Sequence, residues 1–335
     1  MQKTLSQRIK LNFRVIGILY KIYLKNFFTD SMNVFLGIIV AAYTIICWAL
    51  FKTGDPYIIV SGLAITIIRD GMYTFIRSII VFKNTQYLQN MRNIQKNNSI
   101  LIFSLTSFNF LFCLLLVIVF WGIGLIILPE GILYFTIINW PALLSGFFLC
   151  WVLSFLIAIT LYLYIKNNFL MQTIGLFIYF LSMYFLGLAF PYHVILTFEW
   201  ADIFTYFLPH RAIINFIQAA YVNAMSFHYV FTAIDNSGWT IDFGWGNHWW
   251  LAIIATLAWI LFFSILIFIK QHKQFSAFFI YYKGYSSLNS EQKEQIMRLS
   301  MSTSMDNLKN NCSKEIKNKY MRNKNFKKDS INNEE

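Results

Sequence analysis

Arg69, Asp70 and Arg77 stand inside an apolar run that extends from about Pro56 to Phe82. An acid and two bases held in hydrocarbon can relay a proton, face a transported solute, or brace one helix against another. Asp70 and Arg77 are seven apart and share one helix face. At 1.5 Å per residue, Asp70 lies roughly 21 Å into the run. Arg77 falls near its far boundary, where a long stem lets the charged head snorkel to water. A second constellation lies in PYHVILTFEWADIFTYFLPHRAI, Pro191 to Ile213, which carries His193, Glu199, Asp202, His210 and Arg211 among Phe, Leu and Ile. A third is GWTIDFGWGNHWW, with Asp242 and His248. Two ligand types without ordered spacing do not make a metal site, and Trp at such a place reads as an interfacial anchor. No Ser/His/Asp arrangement for nucleophilic catalysis is recognisable. Cys47, Cys113 and Cys150 lie in apolar runs and Cys312 is alone in the tail, so none has metal or redox spacing.

The elements that must position these groups follow from composition. The chain has 335 residues, 58% hydrophobic and 13% charged, with a mean hydropathy of +0.55. Soluble domains carry about 25% charged residues, so an all-α polytopic membrane protein is expected. The net charge of +12 is concentrated at the two ends. That placement reads as a topology signal and an attraction to anionic lipid rather than as nucleic-acid binding. The N-terminus shows no short apolar core with a small-residue cleavage site, so no cleaved signal peptide is expected.

Residues 1–31 read as a basic amphipathic helix lying in the membrane interface. Lys3, Lys10, Arg14, Lys21 and Lys25 fall within roughly a 60° arc, beside a face of Ile9, Phe13, Ile16, Tyr20, Leu24 and Phe27. Six spans are expected within residues 32–270, at about 32–51, 57–82, 100–127, 141–165, 169–190 and 249–270. Between the second and third, Tyr87, Leu88, Met91 and Ile94 recur as one apolar face of a short helix over 83–96. LPEGILYFTIIN is too short to cross. Residues 271–335 form a basic tail, partly disordered, with a helix expected over 290–309. The supposed outer loops contain only Lys52 and Arg211 as basic residues, whereas the inner segments contain Lys83, Arg92, Lys96, Lys166 and both ends. By the positive-inside rule both termini are cytoplasmic.

The stretch from Pro191 must then leave and return on the outer side. Pro191 is expected to stop the fifth helix and Pro209 to start another. The segment reads as a re-entrant helical hairpin dipping in from outside, with Glu199, Asp202 and Arg211 able to pair across it.

GLAFP followed by FLPHRAIINFIQAAY resembles the permease (transmembrane) subunits of type-2 ABC exporters, as does YIIVSGLAITIIRDG at the start of the second span. The N-terminal helix resembles their elbow helix, and the helix over 83–96 their coupling helix. The run FKNTQYLQ departs from the family in lacking the usual Glu and Gly before the coupling region. The resemblance covers about residues 5–275. It implies a transport subunit rather than an enzyme, working as a homo- or heterodimer of permease copies in the plasma membrane. Its pathway would run between the copies, lined by the first, second and fifth spans. ATP and Mg would be bound by a separate ABC ATPase subunit, none by this chain, with no nucleic-acid partner. A membrane-embedded lipid or glycan enzyme and an ion-coupled carrier are the competing expectations.

Overall fold

The computed structural model describes residues 5–51, 57–84, 98–190, 192–230 and 240–286. The chain divides into two units, Met1–Ile267 and Phe268–Glu335. The helical bundle and its buried polar clusters belong to the first.

The described chain is mostly helical. Helix α1 covers Leu5–Thr29; a short α2, Ser31–Val34, then runs through a π-helical segment π1, Phe35–Ile39, into α3, Val40–Phe51. The second long element is a rod built from α4 (Ile58–Ile68), π2 (Arg69–Thr74) and α5 (Phe75–Asn84). Helices α6 (Asn98–Ile127), α7 (Trp140–Tyr164) and α8 (Asn168–Phe185) follow, with a 3-10 turn at Pro129–Thr136 between the first two. Three short helices come next: α9 (Tyr192–Leu196), α10 (Glu199–Thr205) and α11 (Arg211–Tyr221). A ribbon of β1 (His228–Val230) and β2 (Thr240–Asp242) precedes the last helix, α12, Trp249–Ser286.

Five helical stretches are long and apolar enough to cross a bilayer: Ile58–Phe82, Ile102–Ile127, Trp140–Tyr164, Asn168–Phe185 and Trp249–His272. A sixth is reached when Asn12–Thr29 and Ser31–Cys47, bent by 84°, count as one. The protein is therefore a membrane-embedded helical bundle. The bend has a local cause. Asp30 is extended at φ −82 and ψ 100, and its carboxylate accepts from the Met32 amide at 3.1 Å, so one helix stops and the next is capped there.

The rod is the core. Every residue from Tyr57 to Ile76 is buried, and beyond it only Arg77, Ser78 and Val81 of the stretch to Phe82 are partly exposed. Close approach needs small residues at two crossings. A β-carbon on Gly62 would sit 3.0 Å from Ile45 of α3, and one on Gly146 of α7 would meet Ile217 of α11 at 2.7 Å. The outer faces stay apolar, with Ile118, Phe177 and Leu261 exposed, as lipid contact requires.

Three features differ from the sequence reading. The fifth apolar helix ends at Phe185 rather than near residue 190, because Gly187 turns the chain at φ +98 and the Met183 carbonyl accepts from the Ala189 amide at 2.9 Å. Pro191, expected to stop it, lies outside the described residues. A two-stranded antiparallel ribbon, His228 opposite Asp242, occupies the connection before the last helix, where no strand was expected. The last apolar stretch closes at His272, as expected near residue 270, but its helix runs on to Ser286. Beyond Ser286 the tail, with its expected helix over 290–309, lies outside the described residues.

A β-carbon on Gly187 would stand 2.6 Å from Gln218 Nε2, at a φ that L side chains disfavour. Gly187→Ala should cost about 1–3 kcal/mol and lower the unfolding midpoint in detergent. Gly17→Ala, which meets open space in mid-helix, should leave it unchanged or raised.

Candidate functional site

A helix in π geometry has a wider turn, bonded i→i+5, and such turns gather at functional sites. Here two of them face each other. Arg69, on π2, donates through Nη2 to the Gly37 carbonyl of π1 at 2.7 Å. Its guanidinium stands 3.5 Å from Asp70 Oδ2 and 5.9 Å from the centroid of the Tyr179 ring on α8. Gly37 permits this approach, since a β-carbon there would lie 2.9 Å from Phe27 and 3.4 Å from Asp70 Oδ1. Thr74 donates to Asp70 Oδ1 at 2.9 Å. The Asp70 carbonyl takes a hydrogen bond from Asn109 of α6 at 3.2 Å, and Asn109 accepts from the Trp151 indole of α7 at 2.8 Å. One turn of the rod thus binds four other elements through polar contacts: π1, α6, α7 by way of Asn109, and α8.

Arg77 belongs to a different cluster. It donates through Nε and Nη2 to the two Asp30 oxygens at 3.1 and 3.2 Å, a two-point contact with both side chains mostly covered. Asp30 therefore caps α2 and ties the bend to the rod.

The third cluster surrounds α11, all eleven residues of which are buried. It lies antiparallel to the first part of α7. The Asn139 amide donates to the Ala220 carbonyl at 3.0 Å, Gly146 meets Ile217, and His210 reaches Ser154, past the midpoint of α7, at 3.1 Å. Gln218 donates to Ser61 Oγ of the rod at 2.8 Å and to the Leu186 carbonyl at 3.2 Å. Asn215 donates to the Phe243 carbonyl at 3.3 Å, and Phe243 packs edge-on against Tyr57, so the ribbon seats on α11. Arg211 pairs with Asp202 Oδ1 at 2.8 Å, donates to the Asp202 carbonyl at 2.7 Å, contacts the Thr205 hydroxyl, and lies over the Tyr206 ring.

His210 and Ser154 have the outline of a base and a nucleophile. The hydroxyl has one proton, however, and Ser154 Oγ gives it to the Cys150 carbonyl at 2.8 Å. His210 Nε2–H is then the donor to Ser154, and the pair serves as a brace. Burial pushes the His210 imidazole down to about 3, so the ring stays neutral.

Of the residues singled out in the sequence, Arg69 and Asp70 come together, while Arg77 goes to Asp30. Asp202 and Arg211 meet. Glu199 is exposed at the start of α10 and is not brought to Arg211. Pro209 lies in the turn two residues before α11. Asp242 accepts from the Gly244 amide at 2.7 Å, and His248 stacks on Trp250. Tyr87, Leu88, Met91 and Ile94 lie outside the described residues. Asp30, Gly37, Asn109, Ser154 and Gln218 were missed. Asp30 had a signal, as the lone acid between a basic helix and an apolar run, at a cap position.

Searches of protein-family models, curated proteins and solved structures found no match for this chain, so the function must be read from its own residues.

The Asp30–Arg77 and His210 contacts each have a measurable consequence. Asp30→Ala and Arg77→Ala should each destabilise the protein in detergent, and the double variant should be no worse than Asp30→Ala, which removes the helix cap as well as the pair. Such a cycle should return a coupling of about 1 kcal/mol. For His210, the unfolded chain binds a proton near pH 6.5, whereas the folded ring resists until about 3. Stability is therefore full above about pH 6.5 and is lost as pH falls toward 3. His210→Gln should flatten that slope in a thermal-unfolding series against pH.

Proposed function

We propose that this chain is the permease subunit of an ATP-driven exporter of the type-2 ABC class, working as a pair of permeases with two ATPase partners. The observation that carries the reading is the pairing of two end features around the apolar helices. One is a basic amphipathic helix bent by 84° from the first apolar helix. The other is the set of short helices α9 to α11, folded between the fifth apolar helix and the last. In this reading α1 is the elbow helix in the cytoplasmic interface of the plasma membrane. Both termini are cytoplasmic, and α9 to α11 form the re-entrant hairpin, held shut by Arg211 on Asp202. Acyl chains would not tolerate bare backbone at the turn Tyr206–His210; Leu208 and His210 are buried there, while the Tyr206 and Phe207 side chains stand exposed.

The burial of the rod refines the mechanism. A solute path between two copies needs exposed surface, and Ile58–Phe82 has almost none. Arg69 and Asp70 then brace the bundle, and the path falls to the outward faces of the first and fifth apolar helices, where Tyr43 and Phe177 stand exposed. ATP and Mg act in the partner. Closure of the ATPase pair moves the segment 83–96, for which a docking helix is expected from the sequence, and the rod that precedes it carries the motion into the bundle as a rigid shift.

Reconstitution with the ATPase tests this. Deleting residues 83–96 should abolish stimulation of ATP hydrolysis by this chain, and replacing Tyr87 and Leu88 by Ser should lower it about tenfold, as loss of apolar anchors at a docking surface would. Hydrolysis indifferent to both changes contradicts the proposal. An ion-coupled carrier is the second reading, favoured by the placement of Asp70 beside an internal cavity; export driven by a proton gradient without ATP would support it.

A further inference from the structure

A cavity of about 30 Å³ lies beneath α1, between the rod and α6. That is space for one or two water molecules and too little for an organic solute. Its floor is Asp70, Thr74, Asn33 and Asn109. Its walls are aromatic, with Phe27 and Phe108 among them, and it extends along the rod past Ser78 to Phe82. From Asp70 to Phe82 is roughly 18 Å of helix, so the cavity reaches toward the end of the rod that α1 covers.

Two residues that line this cavity each have an oxygen without a hydrogen-bond donor among the described residues: Asn33 Oδ1 and Asp70 Oδ2. Asn33 is 3% exposed and Asp70 1%. A buried acceptor without a donor is costly. Two of them on one cavity are both satisfied by a water, which carries two protons, or by a proton on one of them. Arg69 does not fill the gap. Its approach to Asp70 Oδ2 is 3.5 Å, longer than a charge-assisted hydrogen bond. Its short contact goes to the Gly37 carbonyl, and Tyr179 stands beside its charged plane. Arg69 thus keeps partners of its own if Asp70 becomes neutral.

We infer that Asp70 is the proton-binding group of a small hydrated pocket, with Asn33 as the acceptor that receives the bound proton. A hydronium at the pocket water gives its proton to Asp70 Oδ2 and reverts to water. The new O–H then donates to Asn33 Oδ1 directly or through that water. Thr74 opposes this by donating to Oδ1 of the carboxylate. The titratable and charged groups around Asp70 are Arg69 on its own turn, Tyr23 from α1, Cys113 from α6, Cys150 from α7 and Tyr179 from α8. The Arg77–Asp30 pair lies two turns along the rod. The site belongs to this chain alone and needs no ATPase, so its failure and that of the permease reading are separate results.

Infrared pH-difference spectra of the purified full chain in detergent test it. Lowering the pH from about 9 to 5 should raise a carboxylic-acid C=O band that Asp70→Asn removes and that moves to lower frequency within minutes in D₂O. Asn33→Leu deletes the acceptor of the proton and should shift the titration midpoint down by about half a unit to one unit. Thr74→Val deletes the donor to the carboxylate and should shift it up. Identical wild-type and Asp70→Asn spectra would mean that Arg69 holds the carboxylate ionised throughout, which overturns the site. A band deaf to D₂O overturns the hydration. Should Asp70→Asn not fold, opposite shifts in the Asn33 and Thr74 variants identify the group, and a band indifferent to both belongs to another carboxyl and overturns the assignment.

Discussion

A charged side chain leaves water only if other groups take over most of its hydrogen bonds, and in this bundle one turn of the rod draws on four neighbouring elements to do so. Arg69 and Asp70 sit on a rod with almost no exposed face, so their partners must come from the neighbours. The π segments Arg69–Thr74 and Phe35–Ile39 each present a carbonyl to a side chain of another element: Gly37 takes the Arg69 guanidinium, and Asp70 takes the Asn109 amide. The pair is weak evidence of stability in itself, since desolvation offsets much of the attraction. Its effect is positional. The first apolar helix, α6 and α8 have one register in which these contacts close.

Apolar packing alone would not fix that register, because lipid tails are as apolar as the side chains they would replace. Small residues and hydrogen bonds select it. Gly62 and Gly146 let helices approach, and Gln218 bonds both Ser61 and the turn at Leu186. These contacts place α11, a short helix with no exposed residue, between the rod and α7. The ribbon then closes over it through Phe243. The bend at Asp30 does the same for α1, which Arg77 fastens to the far end of the rod.

The apolar runs, their order and the basic N-terminal helix could all be read from the chain, because a bilayer imposes length and apolarity on whatever crosses it. The polar contacts could be read only in part. Asp70, Arg69, Asp202 and Arg211 announce themselves as charges among Phe and Ile. Their partners do not, since Gly37, Asn109, Ser154 and Gln218 are ordinary residues whose roles depend on a second helix being there. The π segments have no pattern of their own in the sequence. The end of the fifth apolar helix was misplaced because Pro191 is the louder stop signal and Gly187 the effective one. The partner of Arg77 was missed because a helix face predicts neighbours seven apart, whereas the bend brings in an acid from forty-seven residues away.

The arrangement stands on α11 lying inside the bundle against α7. A β-carbon on Gly146 would fall 2.7 Å from Ile217 Cγ1, so side chains at these two positions face each other directly, as a disulfide requires. Gly146→Cys with Ile217→Cys, in a chain whose own cysteines are replaced, should oxidise in native membranes to a linkage recovered by mass spectrometry. No linkage, where a control pair at Ile45 and Gly62 in contact between α3 and the rod does link, would place α11 outside the bundle and remove the basis of the account.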